Sequence, residues 1–329
     1  MPRPTEQLRD LRWPLVALGL LLCVNAFFSP GFFHIEFRDG RFYGTIVDIL
    51  SHAARTGIAA IGMTLVIATG GVDLSVGAVA AVSGAIGAVL VSKHSAPWPV
   101  AVLASLICGA ALGAWNGALV AFMRMQPIVA TLVLMVAGRG VAQLISGGVI
   151  VGFDEPALAW LANGALVAIP APVWLLAAVA LAVGVLARRT PFGLFVSAVG
   201  DNPRAARIAG IDERGLKLAC YSLCGACAAT VGLIECSYIK AADANNAGQL
   251  LELDAILAVV IGGTSLKGGR FSLLGTLIGA VLLQAMTTTI YMLNVPAEVA
   301  PAPKALLVLG VCLLRSGEFR AMFGARRPE

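Results

Sequence analysis

Five stretches of this sequence, 13–35, 56–72, 74–92, 94–123 and 271–297, carry no Asp, Glu, Lys or Arg. Each reaches or approaches the roughly 20 residues that an α-helix needs to cross a bilayer. The runs are continuous rather than alternating, which excludes a transmembrane barrel. With 59% hydrophobic and 12% charged residues and a mean hydropathy of +0.89, a water-soluble core could not hide this much apolar surface. The fold class is an all-α polytopic membrane protein. Its 37 glycines suit lipid-embedded packing, where small residues let helix backbones approach closely.

Read in order, the chain gives about ten transmembrane helices, at 13–29, 45–69, 72–92, 100–122, 127–147, 173–187, 218–236, 254–263, 271–292 and 304–315. All 329 residues then form one transmembrane domain with broken Gly-rich segments. The first apolar run follows Arg3, Arg9 and Arg12, and no small-residue cleavage site precedes Ser29-Pro30, so it reads as a retained span. With the N-terminus inside, 16 of the 23 basic residues fall on the inner side. That bias places both termini and the 188–217 loop in the cytoplasm.

The 188–217 loop holds Arg188, Arg189, Arg204, Arg207, Arg214 and Lys217 between two long apolar tracts. Asn202-Pro203 is a helix start, with the cap followed by proline at the first helical position. The spacing predicts a short helix over 204–209, ended by Gly210. Such an element is either a solvated connector or the grip for a soluble partner.

Two segments break the apolar pattern alike: Gly70-Gly71-Val72-Asp73-Leu74-Ser75-Val76-Gly77, and Gly262-Gly263-Thr264-Ser265-Leu266-Lys267-Gly268-Gly269. They suggest an internal repeat. Broken helices at membrane depth occur where protein or a water-filled cavity satisfies the backbone. Asp73 is costly facing lipid; it marks a pathway or a paired structural site, or it caps the next helix in a tight turn. A further polar segment, 240–254, carries Asp243, Asn245, Asn246, Gln249, Glu252 and Asp254. Carboxylates and amides in fixed directions suit sugar hydroxyls, and an ordinary polar loop has the same composition. Arg139, with Gln143 one turn on, is expected to pair with a buried acid or with helix-end carbonyls. Cys220, Cys224 and Cys227 share one helix face and read as small buried thiols. No nucleotide-binding or zinc-protease motif is present, and His34, His52 and His94 are too dispersed for a metal site.

Several segments together resemble the ribose-type sugar ABC importer permeases. They are Ala60-Ile61-Gly62-Met63-Thr64 running into Gly70 to Gly77, Asn116-Gly117, Pro127-Ile128-Val129-Ala130-Thr131-Leu132 with Arg139-Gly140, Asn202-Pro203-Arg204-Ala205-Ala206 through Gly210-Ile211, and Glu252-Leu253-Asp254-Ala255-Ile256 into Gly262-Gly263-Thr264-Ser265-Leu266. Asp39-Gly40-Arg41, Asp48-Ile49-Leu50 and Ala242-Asp243-Ala244-Asn245-Asn246-Ala247-Gly248 are closer to the galactofuranose-type members. The resemblance implies a permease subunit of the bacterial inner membrane that moves a monosaccharide by alternating access. It implies a second permease chain, identical or related, a periplasmic sugar-binding protein and an ABC ATPase subunit. ATP and Mg are then bound by the ATPase, this chain needs no cofactor or metal and is no enzyme itself, and no nucleic acid is involved. Asn202, Arg204, Ala205, Arg207 and Gly210 match the coupling helix. Asp73, Ser75, Asp243, Asn245, Asn246, Glu252, Asp254, Thr264 and Ser265 are the candidates for the translocation path. The competing reading is an ion-coupled secondary sugar carrier with Asp73 and Asp254 as coupling acids. An intramembrane enzyme would need a nucleophile–base constellation that the sequence lacks.

Overall fold

The computed structural model describes residues 4–28, 31–38, 40–293, 295–296, 299 and 301–315. The basic residues counted at Arg3, Arg320, Arg326 and Arg327, and Asp39, lie outside them. Among the described residues the chain is helical almost throughout: α1 (Pro4–Phe28), α2 (Thr45–Ala68), α3 (Val76–His94), α4 (Trp98–Ala121), α5 (Pro127–Ser146), α6 (Pro156–Asn163), α7 (Ala171–Arg189), α8 (Phe192–Asp201), α9 (Pro203–Ile208), α10 (Glu213–Ile239), α11 (Leu251–Ile261), α12 (Leu273–Met292) and α13 (Pro301–Arg315). Six short strands, β1 (Glu36–Arg38), β2 (Arg41–Tyr43), β3 (Val151–Gly152), β4 (Ala165–Leu166), β5 (Ile169–Pro170) and β6 (Ala241–Ala242), pair antiparallel as β1–β2, β3–β6 and β4–β5. Among the described residues seven helices, α2, α3, α4, α5, α7, α10 and α12, are long and apolar enough to cross a membrane.

Local chemistry sets the ends. α5 begins at Pro127 and stops where Gly147 takes φ 76°, its N–H and that of Gly148 closing on Leu144 and Gln143 carbonyls. Ser272 Oγ accepts from Gly275 N at 3.1 Å to start α12. Asp212 accepts from Arg214 N at 3.1 Å to start α10.

α10 is the centre of the bundle, packed by α2, α3, α4 and α6. Its seam with α4 is made by glycines one turn apart. A Cβ on Gly113 would overlap the Tyr221 carbonyl, and one on Gly225 would overlap the Gly109 carbonyl. Tyr221, Cys220, Cys224 and Cys227 are all buried along α10, as small thiols in a packed core are.

The 188–217 segment is more structured than a polar connector. Before the short capped helix it forms α8, ten residues whose Gly193, Val196 and Val199 are buried. Val196 and Val199 join Ile61, Leu65 and Ala68 of α2 in one core cluster. Gly200 of α8 lies against Ala68 and Gly269, and Gly268 lies against Gly70. The two glycine-rich breaks therefore meet at one end of the bundle, beside α8 and α9. The opposite end carries the β3–β6 pair, α6 and the last turn of α10, where Asn163 Nδ2 donates to the Ser237 carbonyl at 2.8 Å.

Candidate functional site

A cavity of about 330 Å³ opens at the end opposite α9, within the ~300–1,000 Å³ range of small-molecule sites. Ala81, Gly84 and Ala85 of α3 and Gly232 of α10 form small-residue walls. Arg55 of α2, Glu235 and Tyr238 of α10, and Asp243 and Asn246 of the 240–250 loop supply the polar groups. These polar residues come from segments nearly 200 residues apart. Arg55 lies 3.7 Å from Glu235 and 5.8 Å from the Tyr238 ring centroid, and His52 Nδ1 is 2.9 Å from the Arg55 guanidinium.

Asp243 organises the loop. Its Oδ1 accepts from the backbone N–H of Asn245 and Asn246 at 3.0 and 3.2 Å, and its Oδ2 accepts from Asn246 Nδ2 at 2.7 Å. The Asn246 amide, with the two backbone donors, holds the Asp243 carboxyl below its ordinary range despite some desolvation. Asn245 turns the other way, accepting from Gln143 Nε2 at 2.7 Å, and does not line the cavity. The far end of the loop is clamped from two helices. Glu235 Oε2 accepts from Gly248 N at 2.7 Å, and Arg139 donates to the Ala247 and Gly248 carbonyls. Arg139 thus meets backbone carbonyls, with the buried Glu252 carboxylate beside it against Gly77.

Asp73 and Ser75 are buried away from this cavity. Ser75 N–H and Oγ–H donate to Asp73 Oδ1 at 2.9 and 2.6 Å. Asn116 Nδ2 on α4 donates to Ser75 Oγ at 2.9 Å and to Asp73 at 3.4 Å. The geometry is a turn fixed just before α3 and pinned to a neighbouring helix. Asp254 pairs with Lys304 of α13 at 2.9 Å. Thr264 Oγ1 accepts from Ser272 N and Ser265 Oγ from Lys267 N, both at 3.3 Å, inside their own turn. Of the nine candidate path residues, the structure brings only Asp243 and Asn246 into the cavity.

At the other end, α9 is closed at both termini. Asn202 Oδ1 accepts from Arg204 N and Ala205 N at 3.1 Å. Gly210, at φ 84°, lets its own N–H reach the Arg207 carbonyl and that of Ile211 reach Ala206, each at 3.0 Å. The guanidinium of Arg207 pairs with Glu213. Ile208 is 88% exposed on this helix. Spacing did not single it out; the one signal was an aliphatic residue in a basic hexapeptide.

The family described as branched-chain amino acid transport system / permease component matches residues 45–315. The chain is 48% identical over 334 residues to a galactofuranose transporter permease protein of Escherichia coli (strain K12), covering 100% of this chain and 98% of that protein. It is 40% identical over 314 residues to a fructose import permease protein of Bifidobacterium longum (strain NCC 2705), covering 93% and 88%. It is also 40% identical over 299 residues to a ribose import permease protein of Escherichia coli (strain K12), covering 90% of each. No solved structure matches the chain.

Proposed function

Because this chain belongs to the family of transport-system permease components, we propose that it is the permease subunit of an ATP-driven importer for galactofuranose or a related pentose or hexose. The single observation that carries this reading is full-length similarity at 48% identity to a galactofuranose permease, with fructose and ribose import permeases also matching across most of the chain. The subunit sits in the inner membrane with both termini cytoplasmic, paired with a second permease. It receives sugar from a periplasmic binding protein and is driven by a separate ATPase that holds ATP and Mg.

The geometry supports a division of labour between the two ends. α9, capped at both ends and presenting Ile208 with Arg204, is suited to a pocket on the ATPase, with Asn202, Ala205 and Gly210 fixing its shape. Arg207 acts there through its pair with Glu213. The cavity under Asp243 and Asn246 is suited to a sugar in transit: an aromatic ring, a guanidinium–carboxylate pair and an amide surround a space with small-residue walls. The acids needed by an ion-coupled carrier are already committed. Asp254 is paired with Lys304, and Asp73 is held by Ser75 and Asn116.

The test uses reconstituted complexes with ATPase and binding protein. Ile208→Asp is expected to abolish the stimulation of ATP hydrolysis by sugar-loaded binding protein while the permease stays in the membrane. Asn246→Ala is expected to lower uptake several-fold at low sugar, the scale of one or two hydrogen bonds at ~1 kcal/mol each, with ATP hydrolysis preserved. Full stimulation in the first variant and full uptake in the second would overturn both assignments.

A further inference from the structure

Between α7 and α12 runs a second trough, of about 250 Å³. Leu181 and Val185 of α7 and Leu273, Leu274 and Leu277 of α12 make its walls, and Arg188 and Arg189, on the last turn of α7, stand at one end. Three observations set it apart from ordinary lipid-facing surface. Its floor is built, because Ala180, Leu273 and Leu277 pack against the buried cluster that holds Ile61 and Leu65 of α2. Its space is open, because Leu181 is 69%, Val185 48% and Leu274 50% exposed, and a Cβ on Gly184 would meet nothing within 4 Å. Its charge is unspent, because neither arginine makes a hydrogen bond or ion pair among the described residues. The cations packed inside the bundle, Arg55, Arg139 and Lys304, are by contrast each matched by a carboxylate or by carbonyls.

We propose that this trough binds one anionic phospholipid, its acyl chain along the leucine walls and its phosphodiester against Arg188 and Arg189. An apolar trough facing the bilayer is filled by chains, and the two cations at its mouth lie where α7 ends and headgroups begin. A guanidinium donates in a fork that matches two phosphate oxygens. Basic pockets between spans recognise acidic headgroups in this way. A zwitterionic headgroup carries its own ammonium to the same place and offsets the attraction, so net negative charge is selected. The trough shares no lining residue with the sugar cavity or with α9, and so does not depend on the transport reading.

The experiment places the full chain in liposomes of equal phosphatidylcholine and phosphatidylglycerol, extracts it in mild detergent and counts retained lipids by native mass spectrometry. One phosphatidylglycerol per chain is expected to persist in preference to phosphatidylcholine. Arg188→Gln with Arg189→Gln is expected to lower that retention several-fold and leave phosphatidylcholine unchanged. Gly184→Leu, which fills the trough and keeps both charges, is expected to give the same loss. Equal retention of the two lipids, or wild-type retention in both variants, overturns the site. Chain-to-chain crosslinking of a Leu181→Cys variant in the same liposomes also overturns it, because the occupant is then a second copy of this chain.

Discussion

Asn116 is fully buried, and its amide nitrogen serves both Ser75 and Asp73. Removing it takes one donor from Ser75 Oγ and one from Asp73, which keep their bonds to each other, and a lost hydrogen bond costs ~1 kcal/mol net. Asn116→Ala is therefore expected to lower the thermal midpoint of the detergent-purified protein, whereas Asn245→Ala, on an exposed residue, is expected to leave it nearly unchanged; equal midpoints for the two variants would contradict the network. Asp243 behaves differently because its carboxyl sits below its ordinary range, chiefly through Asn246. Its folded value lies under its unfolded one, so its hold on the loop is present above the ordinary carboxylate range and lost as pH falls through the lowered value. Amide exchange at Asn245 and Asn246 is expected to stay slow from neutral pH down through that ordinary range and to quicken only below it. Asp243→Ala is expected to exchange quickly throughout, and quickening already within the ordinary range would contradict the assignment.

At the scale of elements, the α4–α10 seam makes the sharpest demand. Gly113→Ala and Gly225→Ala push a methyl into the opposing backbone, and overpacking of this kind costs ~1–3 kcal/mol. Gly140→Ala on α5 has open space around its Cβ and is expected to be neutral or stabilising by up to ~1 kcal/mol through helix propensity. Thermal unfolding of the three variants separates a packed seam from a general intolerance of alanine. Helix ends were legible where the sequence spells them out: Pro127 and Gly147 bracket α5, and Asn202-Pro203 and Gly210 bracket α9 to within a residue. α8 was not legible, because a mostly apolar run of ten residues between two basic clusters is too short to announce a helix, and its fit against α2 depends on Gly200. The cavity was half legible. Asp243 and Asn246 lie in one polar segment, but Arg55 and Glu235 are single charges inside apolar runs, and only packing brings them together.

At the scale of the molecule, α10 runs from an end with α8, α9 and the glycine breaks to an end with the β3–β6 pair and the cavity. If α9 faces the ATPase, the cavity faces the periplasm. A reporter fused at Gly210 is expected to read cytoplasmic and one near Asn245 periplasmic, and the same side for both would contradict the topology. The most direct measurement of the central claim is uptake of labelled galactofuranose into proteoliposomes holding this chain, its permease partner and the ATPase, with binding protein added on the sugar side and ATP on the other. The account predicts uptake that requires ATP and binding protein and persists when proton and sodium gradients are collapsed. Uptake that continues without ATP and stops when those gradients are collapsed would contradict it.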